Sequence, residues 1–174
     1  MTEKKSLLLF RHAKSSWGDP QLADQDRPLN DRGRKAAVRM GRLMKEEQLI
    51  PDLVLSSSSR RTRETAELAF AELAPVSLSV HYLDELYEAE PAGLAAVLSR
   101  VSELFPAVLL LGHNPGFEEF LTLLTGEHLK FPTAAIAVIE LGPIQWSEFS
   151  NLPSSSHPEG RLQRLWKPKE LDRD

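Results

Sequence analysis

Short aliphatic runs alternate with amphipathic stretches along most of this chain. A short apolar run bounded by turn residues is typical of a buried strand, whereas apolar residues spaced three and four apart indicate a helix. The predicted strands are Leu7–Phe10, Asp52–Leu55, a third strand that ends before Asp84, Ala107–Leu111 and Ala134–Leu141. The predicted helices are Asp31–Glu47, Ser59–Ala71, Pro91–Leu104 and Gly116–Thr125. This alternation predicts an α/β fold, a three-layer sandwich with a mostly parallel central sheet and helices on both faces.

The pattern changes after Gln145. Asn151–Gly160 is rich in serine and proline and predicts a loop, whereas Arg161–Lys167 alternates polar and apolar residues and predicts a final edge strand. We expect residues 168–174 to form a frayed tail. The length of 174 residues fits one domain, so we expect a single domain over residues 1–174.

Composition narrows the classes of function. The formal charge of -4 gives no global positive field, so we expect no nucleic-acid partner, and an anion site would need a local cluster of cations. Cysteine is absent, which excludes disulfides, thiolate metal ligands and a cysteine nucleophile. The first residues lack the long apolar stretch of a signal peptide or a membrane helix, so we expect a cytoplasmic protein without a membrane partner.

Basic side chains follow three of the predicted strands. Arg11-His12 follows the first strand, Ser56–Arg61 the second, and Gly112-His113-Asn114 the fourth. Ligands of open α/β sheets bind at the carboxyl ends of the strands. These three segments are therefore expected to form one site.

Each segment has a chemical and a structural interpretation. A neutral histidine at a strand end is a competent nucleophile towards phosphorus, and an adjacent arginine can clamp phosphoryl oxygens, but His12 and Arg11 could also be solvated. The start of a helix favours an anion beside Arg61, although a solvated basic turn is the alternative. His113 could stabilise a transferring phosphoryl group, or be a buried histidine that bonds a loop carbonyl.

Taken together, these motifs resemble the histidine phosphatase superfamily, which has the phosphoglycerate-mutase-like fold. The resemblance is closest to the short SixA-type branch of protein phosphohistidine phosphatases. It spans residues 7 to 146, and the matching stretches are Leu7–Trp17, Asp26–Ala37, Ser56–Glu67, Asp84–Ala89 and Leu109–Phe120.

The resemblance implies a role for individual residues. The Arg-His pair of the family falls on Arg11 and His12, and the second histidine falls on His113. The second arginine of the family precedes a Thr-Ala pair by four positions, which selects Arg61. His12 would carry a phosphohistidine intermediate, and the other three would surround the phosphoryl oxygens. The glycine that usually follows the Arg-His pair is Ala13 here, a variation typical of the SixA-type branch.

This mechanism needs neither metal nor cofactor, because cations of the protein neutralise the phosphoryl charge. The five histidines show no metal-ligand spacing such as H-x-x-x-H, in agreement with that expectation. The implied enzyme is a hydrolase of phosphoric monoesters or phosphoramidates.

The sequence offers several candidates for the acid that would protonate the leaving group. Glu85, between the third strand and the third helix, is the first candidate, and Asp84 and Asp19 are alternatives. A surface carboxylate is the competing interpretation of Glu85. Asn114 is expected either to bind phosphate or only to shape its turn, and Trp17 either to line the pocket mouth or to cap the core.

Two further patterns are interpreted without a catalytic role. Asp24-Gln25-Asp26 has the D-x-D spacing of aspartyl-phosphate phosphatases, but no buried strand precedes it, so we interpret it as a loop in which Asp26 positions Arg27 or the first loop. Four basic residues lie on one face of the first predicted helix: Arg32, Lys35, Arg39 and Arg42. We interpret this face as solvated, and a docking surface for an acidic protein is the alternative.

The expected substrate follows from the short connection between Arg61 and His113, which leaves no room for a large cap. We therefore expect an open site for a phosphorylated protein, bearing phosphohistidine, or alternatively for a small phosphoester. A mutase is disfavoured because it must shield its intermediate from water. A non-catalytic phosphate-binding module is also disfavoured, because a binder needs no nucleophile such as His12. The sequence leaves the oligomeric state open.

Overall fold

The structure is a computed structural model that describes residues 4–152 and 160–172. The strands are β1 (Lys5–Arg11), β2 (Leu53–Ser57), β3 (Val80–Leu83), β4 (Ala107–Gly112), β5 (Ile136–Leu141) and β6 (Gly160–Trp166). The helices are α1 (Asp31–Glu46), α2 (Arg60–Ala71), α3 (Pro91–Leu98), α4 (Gly116–Thr125) and α5 (Pro168–Leu171). Short 3₁₀ turns cover Asp24–Asp26, Asp84–Leu86 and Trp146–Asn151.

The six strands form one mixed sheet in the order β3-β2-β4-β1-β5-β6. β1, β2, β3 and β4 are parallel, and β5 is antiparallel to both of its neighbours, β1 and β6. Side chains of each inner strand alternate between two hydrophobic cores. Leu7 and Leu9 pack with α3 and α4 on one face, and Leu8 and Phe10 pack with α1 and α2 on the other. The predicted three-layer α/β fold with a mostly parallel sheet is confirmed.

The register of the parallel strands brings the candidate segments together. Arg11 at the end of β1 pairs with Gly112 at the end of β4, so His12 and His113 both follow the same edge of the sheet. Ser56 of β2 pairs with Leu111 of β4, which brings the start of α2 to that edge as well.

Several predicted boundaries differ from those of the structure, and two of the differences have a clear local cause. The helix predicted over Pro91–Leu104 ends at Leu98, because Arg100 and Val101 donate hydrogen bonds only three residues back and the chain tightens into turns. The strand predicted from Ala134 begins at Ile136, because Ala134 has a φ of 62°, which is incompatible with extended backbone.

The C-terminal part differs from the expectation in one respect. The predicted edge strand is confirmed as β6, and residues 153–159 of the predicted loop lie outside the described residues. Within the segment 168–174, which we expected to be frayed, Pro168–Leu171 forms a helical turn, and Leu171 packs against the core that contains α1. Among the helices that the structure describes, none has the length and apolar character that crossing a bilayer requires.

Candidate active site

The backbone around His12 is fixed from three directions. The amide of His12 donates to the Gly112 carbonyl at 3.1 Å, and its carbonyl accepts from the Ala134 amide at 3.0 Å. The next amide, that of Ala13, donates to Thr65 Oγ1 of α2 at 3.0 Å. Because β4, α2 and the segment before β5 all hold this point, the imidazole of His12 projects from a rigid base.

The tautomer of His12 follows from its hydrogen bond. Nδ1 lies 2.7 Å from the carbonyl oxygen of Ala13, which can only accept a hydrogen bond. Nδ1 therefore carries the proton and donates it, and Nε2 of the neutral ring keeps a free lone pair. A nucleophilic nitrogen is thus available at Nε2.

Burial keeps this ring neutral. His12 is 7% exposed, and burial, aided by the charges of Arg61 and Arg11, lowers the pKa of His12 to about 3. An imidazolium has no lone pair with which to attack phosphorus, so the low pKa favours the reactive form over the whole neutral pH range.

The second histidine lies next to the first. The ring centroids of His12 and His113 are 5.2 Å apart, with 53° between the ring planes. Nδ1 of His113 is 3.3 Å from Arg61 Nη2, which is purely a donor, and Nε2 is 2.8 Å from Ser57 Oγ. His113 therefore accepts at Nδ1 and donates from Nε2 to Ser57, and burial lowers its pKa to about 3.

Arg61 is held by an acidic residue that the sequence pattern did not indicate. Its Nη1 donates to the backbone carbonyl of Asp24 at 2.8 Å, and its Nη2 donates to Asp24 Oδ2 at 3.0 Å. The hydroxyl of Tyr87 donates to the same carboxylate oxygen. Arg61, Asp24 and Tyr87 thus form a network that fixes the guanidinium beside His113.

The network also sets the ionisation of its acidic members. Burial by itself would raise the pKa of Asp24, but the hydrogen bond from Tyr87 and the charge of Arg61 outweigh it, and the pKa is lowered. Burial, together with the negative charge of Asp24, raises the pKa of Tyr87 to about 12. At neutral pH Asp24 is a carboxylate and Tyr87 keeps its proton.

Our interpretation of the D-x-D segment was therefore wrong in one detail. The segment is a turn, as expected, but Asp24 rather than Asp26 reaches the site, and its Oδ1 lies 3.7 Å from Arg27 Nε. The spacing of Asp24 and Arg61 in the sequence carries no local signal for this contact.

Arg11, whose charge also acts on His12, belongs to a second hydrogen-bond network. Its Nη1 donates to the Phe131 carbonyl at 2.9 Å, and Asn114 Nδ2 donates to the same oxygen at 2.9 Å. Glu118 Oε2 accepts from Asn114 Nδ2 and from the amide of Phe131, both at 3.2 Å. Within the described part of the chain, Arg11 Nε and Asn114 Oδ1 are buried and have no hydrogen-bond partner.

Glu85 makes no hydrogen bond or ion pair with His12, Arg61 or His113 in the structure. Its carboxylate forms an ion pair with Arg100, and its side chain is 49% exposed. Asp84 and Asp19, the alternative donors, are also exposed. The role of Glu85 as proton donor thus stays a prediction without a supporting contact to His12, Arg61 or His113.

The arrangement suits a phosphoryl dianion. Arg11 and Arg61 supply two positive charges beside two neutral histidines, and Asp24 offsets one of them. Arg11 Nε is a donor without a partner among the described residues, as expected of a group that binds an anionic ligand. Groups of three or more potential metal ligands were not found among residues 4–152 and 160–172.

Comparison with known proteins agrees with this geometry. The family model of the histidine phosphatase superfamily (branch 1) matches residues 7–105. An uncharacterized chloroplastic protein of Arabidopsis thaliana is 32% identical over 152 residues, which cover 83% of this chain and 70% of that protein. The crystal structure of SixA from Agrobacterium tumefaciens has a TM-score of 0.77 at 28% identity, covering 94% of this chain and 98% of that chain. A structure of the protein histidine phosphatase SixA complexed with tungstate has a TM-score of 0.78 at 24% identity, and the match covers 95% of this chain and 99% of that chain.

The chain therefore belongs to the histidine phosphatase superfamily, and its fold is that of the SixA-type branch. It is a phosphatase- or mutase-type enzyme. The resemblance inferred from the sequence motifs is confirmed.

Proposed function

We propose that this protein is a phosphatase that forms a phosphohistidine intermediate on His12 and hydrolyses phosphohistidine in proteins. The observation that carries the proposal is the hydrogen bond from His12 Nδ1 to the Ala13 carbonyl at 2.7 Å. It leaves Nε2 of a buried neutral ring as a nucleophile within reach of the charges of Arg61 and Arg11. Arg11, Arg61, His113 and Asn114 are the proposed substrate-binding residues.

In the first step, the lone pair of His12 Nε2 attacks phosphorus, and the bond from phosphorus to the leaving nitrogen breaks with its electron pair. The phosphorylated ring keeps its proton on Nδ1 and becomes positively charged. The Ala13 carbonyl stabilises that charge through the existing hydrogen bond. Arg11 and Arg61 neutralise the charge on the phosphoryl oxygens during transfer.

In the second step, water attacks phosphorus and the bond to His12 Nε2 breaks. The ring leaves as neutral imidazole, with its proton still on Nδ1, and the proton of the water goes to the released phosphate. His113 stays neutral, accepts from Arg61 at Nδ1 and thereby keeps that guanidinium in place during both steps.

The protonation state of the site favours a phosphoramidate over a phosphoester. An alkoxide leaving group needs a proton at the bridging oxygen. Asp24, the carboxylate that contacts Arg61, is ionised and accepts two side-chain hydrogen bonds, so it has no proton to give. The imidazole of a phosphohistidine substrate carries a proton on its distal nitrogen and leaves as a neutral molecule without an acid beside phosphorus.

The similar proteins and the topology support the same conclusion. The SixA structure with tungstate is described as that of a protein histidine phosphatase. Between Arg61 and His113 the chain forms only the rest of α2, β3, a 3₁₀ turn, α3 and β4, so no inserted domain stands between these residues. A protein side chain could reach such a site, although the low exposure of His12 and His113 makes it narrower than we expected.

The test compares a phosphohistidine peptide with phosphoserine, phosphotyrosine and p-nitrophenyl phosphate, all in the presence of EDTA. We expect the highest kcat/KM for the phosphohistidine peptide and no loss on chelation. His12→Ala should be inactive on all four. A preference for one of the esters would assign the protein to the phosphomonoesterases, and full activity of His12→Ala would overturn the mechanism.

A further inference from the structure

Trp17 is the exposed member of the three tryptophans. Its side chain is 70% exposed, whereas Trp146 and Trp166 are 0% and 8% exposed and belong to the two cores. Of the two interpretations that the sequence allowed, the core cap is therefore wrong. An indole on the surface exposes a large apolar area, and tryptophan is enriched at protein interfaces relative to the rest of the surface.

The indole is held in place. The guanidinium carbon of Arg27 lies 3.9 Å from the Trp17 ring centroid, a close cation–π stack. The Arg27 side chain is only 13% exposed, so it is a fixed support rather than a mobile surface group. The chain just before Trp17 is fixed too, since the Ser16 amide donates to the Pro28 carbonyl at 2.8 Å.

This support is connected to the phosphoryl site. Arg27 Nε lies 3.7 Å from Asp24 Oδ1, and the other oxygen of that carboxylate accepts from Arg61. Trp17 is therefore linked to Arg61 through three successive contacts, by way of Arg27 and Asp24, and stands at the rim of the site with one face on Arg27 and the rest open to solvent. A phosphoryl group bound by Arg61 would place the chain that carries it near this indole.

We propose that Trp17, supported by Arg27, binds an apolar side chain of the substrate protein next to its phosphohistidine. The inference rests on the proposed function and adds a specificity contact outside the phosphoryl pocket. A rigid tryptophan loses little conformational entropy on binding, and tryptophan is the residue type most enriched among energetically dominant interface contacts. A ligand as small as phosphoramidate fills the phosphoryl pocket alone and gains nothing from the indole.

The experiment uses two phosphohistidine peptides of equal length and charge, one with leucine and one with serine on both sides of the phosphohistidine, and free phosphoramidate. Wild-type protein should prefer the leucine peptide. Trp17→Ala should lower kcat/KM for the leucine peptide about tenfold, mostly through KM, and leave phosphoramidate hydrolysis unchanged. Trp17→Phe should recover most of the loss.

The matched control is Leu104→Ala. Leu104 is 86% exposed and precedes β4, so it lies at the end of that strand opposite to the site. This variant should keep the wild-type preference. A second readout measures binding of the leucine peptide to His12→Ala, which cannot turn over substrate. Bound peptide should protect the Trp17 fluorescence from quenching by acrylamide. The two buried tryptophans should be quenched little with or without peptide.

The outcomes distinguish the Trp17 contact from the proposed function. Wild-type protein that hydrolyses neither phosphoramidate nor either peptide contradicts the proposed function itself. Wild-type protein that hydrolyses the peptides, with Trp17→Ala showing the same leucine preference, overturns only the Trp17 contact. Hydrolysis of phosphoramidate without hydrolysis of the peptides would keep the phosphatase chemistry and reject both a protein substrate and the role of Trp17.

Discussion

Asp24 holds Arg61 through two different acceptors, its backbone carbonyl at 2.8 Å and its carboxylate at 3.0 Å. The residues are far apart in sequence, yet this pair fixes the orientation of the guanidinium that would face the phosphoryl group. A guanidinium that is already oriented loses less entropy when phosphate charge develops during transfer. Asp24 is thus a positioning residue whose negative charge also opposes the binding of an anion.

Asp24→Asn should separate these two effects. Loss of the charge-assisted hydrogen bonds from Arg61 and Tyr87 should lower kcat about tenfold. Inorganic phosphate should inhibit the variant at the same or a lower concentration, because a negative charge has been removed from the site. Steady-state kinetics with phosphate inhibition measures both. Asp26→Asn, in the same turn but exposed, is the control and should behave as wild type; an unchanged kcat in Asp24→Asn would refute the role of the pair.

Glu118 should act on the site through the Phe131 carbonyl. Glu118→Ala leaves Asn114 Nδ2 with one acceptor fewer and the Phe131 amide with none, so the carbonyl that holds Arg11 is no longer fixed. We expect about a tenfold loss in kcat/KM and a decrease of about 1–2 kcal/mol in the free energy of unfolding. The neighbouring exposed Glu119→Ala should change neither quantity.

The conservative variant distinguishes positioning by Glu118 from an effect of its charge. Glu118→Gln keeps an oxygen acceptor at the same place and should recover most of the activity. If Glu118→Gln has as low a kcat/KM as Glu118→Ala, the hypothesis that Glu118 positions Arg11 through hydrogen bonds is wrong. The negative charge of Glu118 near Arg11 is then the property that matters.

The buried histidines predict how stability depends on pH. Burial lowers the pKa of both His12 and His113 to about 3, from 6.5 in the unfolded chain. Between these values the unfolded chain binds more protons, so the stability that neutral histidine provides is fully present above pH 6.5 and is lost as the pH falls towards 3. The slope should reach about 1.4 kcal/mol per pH unit for each histidine.

Urea unfolding between pH 7.5 and 5 measures this slope. His113→Gln should reduce the slope whatever its effect on stability at neutral pH, because it removes one of the two groups. A slope that is the same in wild type and His113→Gln would mean that His113 already titrates normally in the folded protein.

Glu85→Gln should leave catalysis close to wild type. Its carboxylate pairs with Arg100 on the surface, and surface ion pairs of this kind contribute about 0–1 kcal/mol to stability. Steady-state kinetics with phosphohistidine peptide and with p-nitrophenyl phosphate checks this expectation. A large loss of kcat/KM for p-nitrophenyl phosphate alone would show that Glu85 is the proton donor. The 3₁₀ turn that carries Glu85 would then have to move towards the site during catalysis.

The sequence was sufficient to predict those parts of the fold and of the site whose position is determined by the local hydrophobic pattern and by the pairing of parallel strands. Hydrophobic runs located β1, β2 and β4, and parallel pairing then required that His12, Arg61 and His113 meet at one edge. Asp24 was missed because its partners, Arg61 and Tyr87, are distant in sequence and a D-x-D turn has no distinctive pattern. The start of β5 was missed because an alanine, unlike glycine, gives no signal of a positive φ.

The most direct test of the His12 mechanism is to trap the phosphorylated enzyme. Wild-type protein is mixed with ³²P-labelled phosphohistidine peptide, quenched in alkali within milliseconds and digested, and the labelled peptide is identified by mass spectrometry. We expect a label on His12 that is stable in alkali and lost in acid, and no label in His12→Ala. A label on another residue, or turnover by His12→Ala at the wild-type rate, would contradict the mechanism.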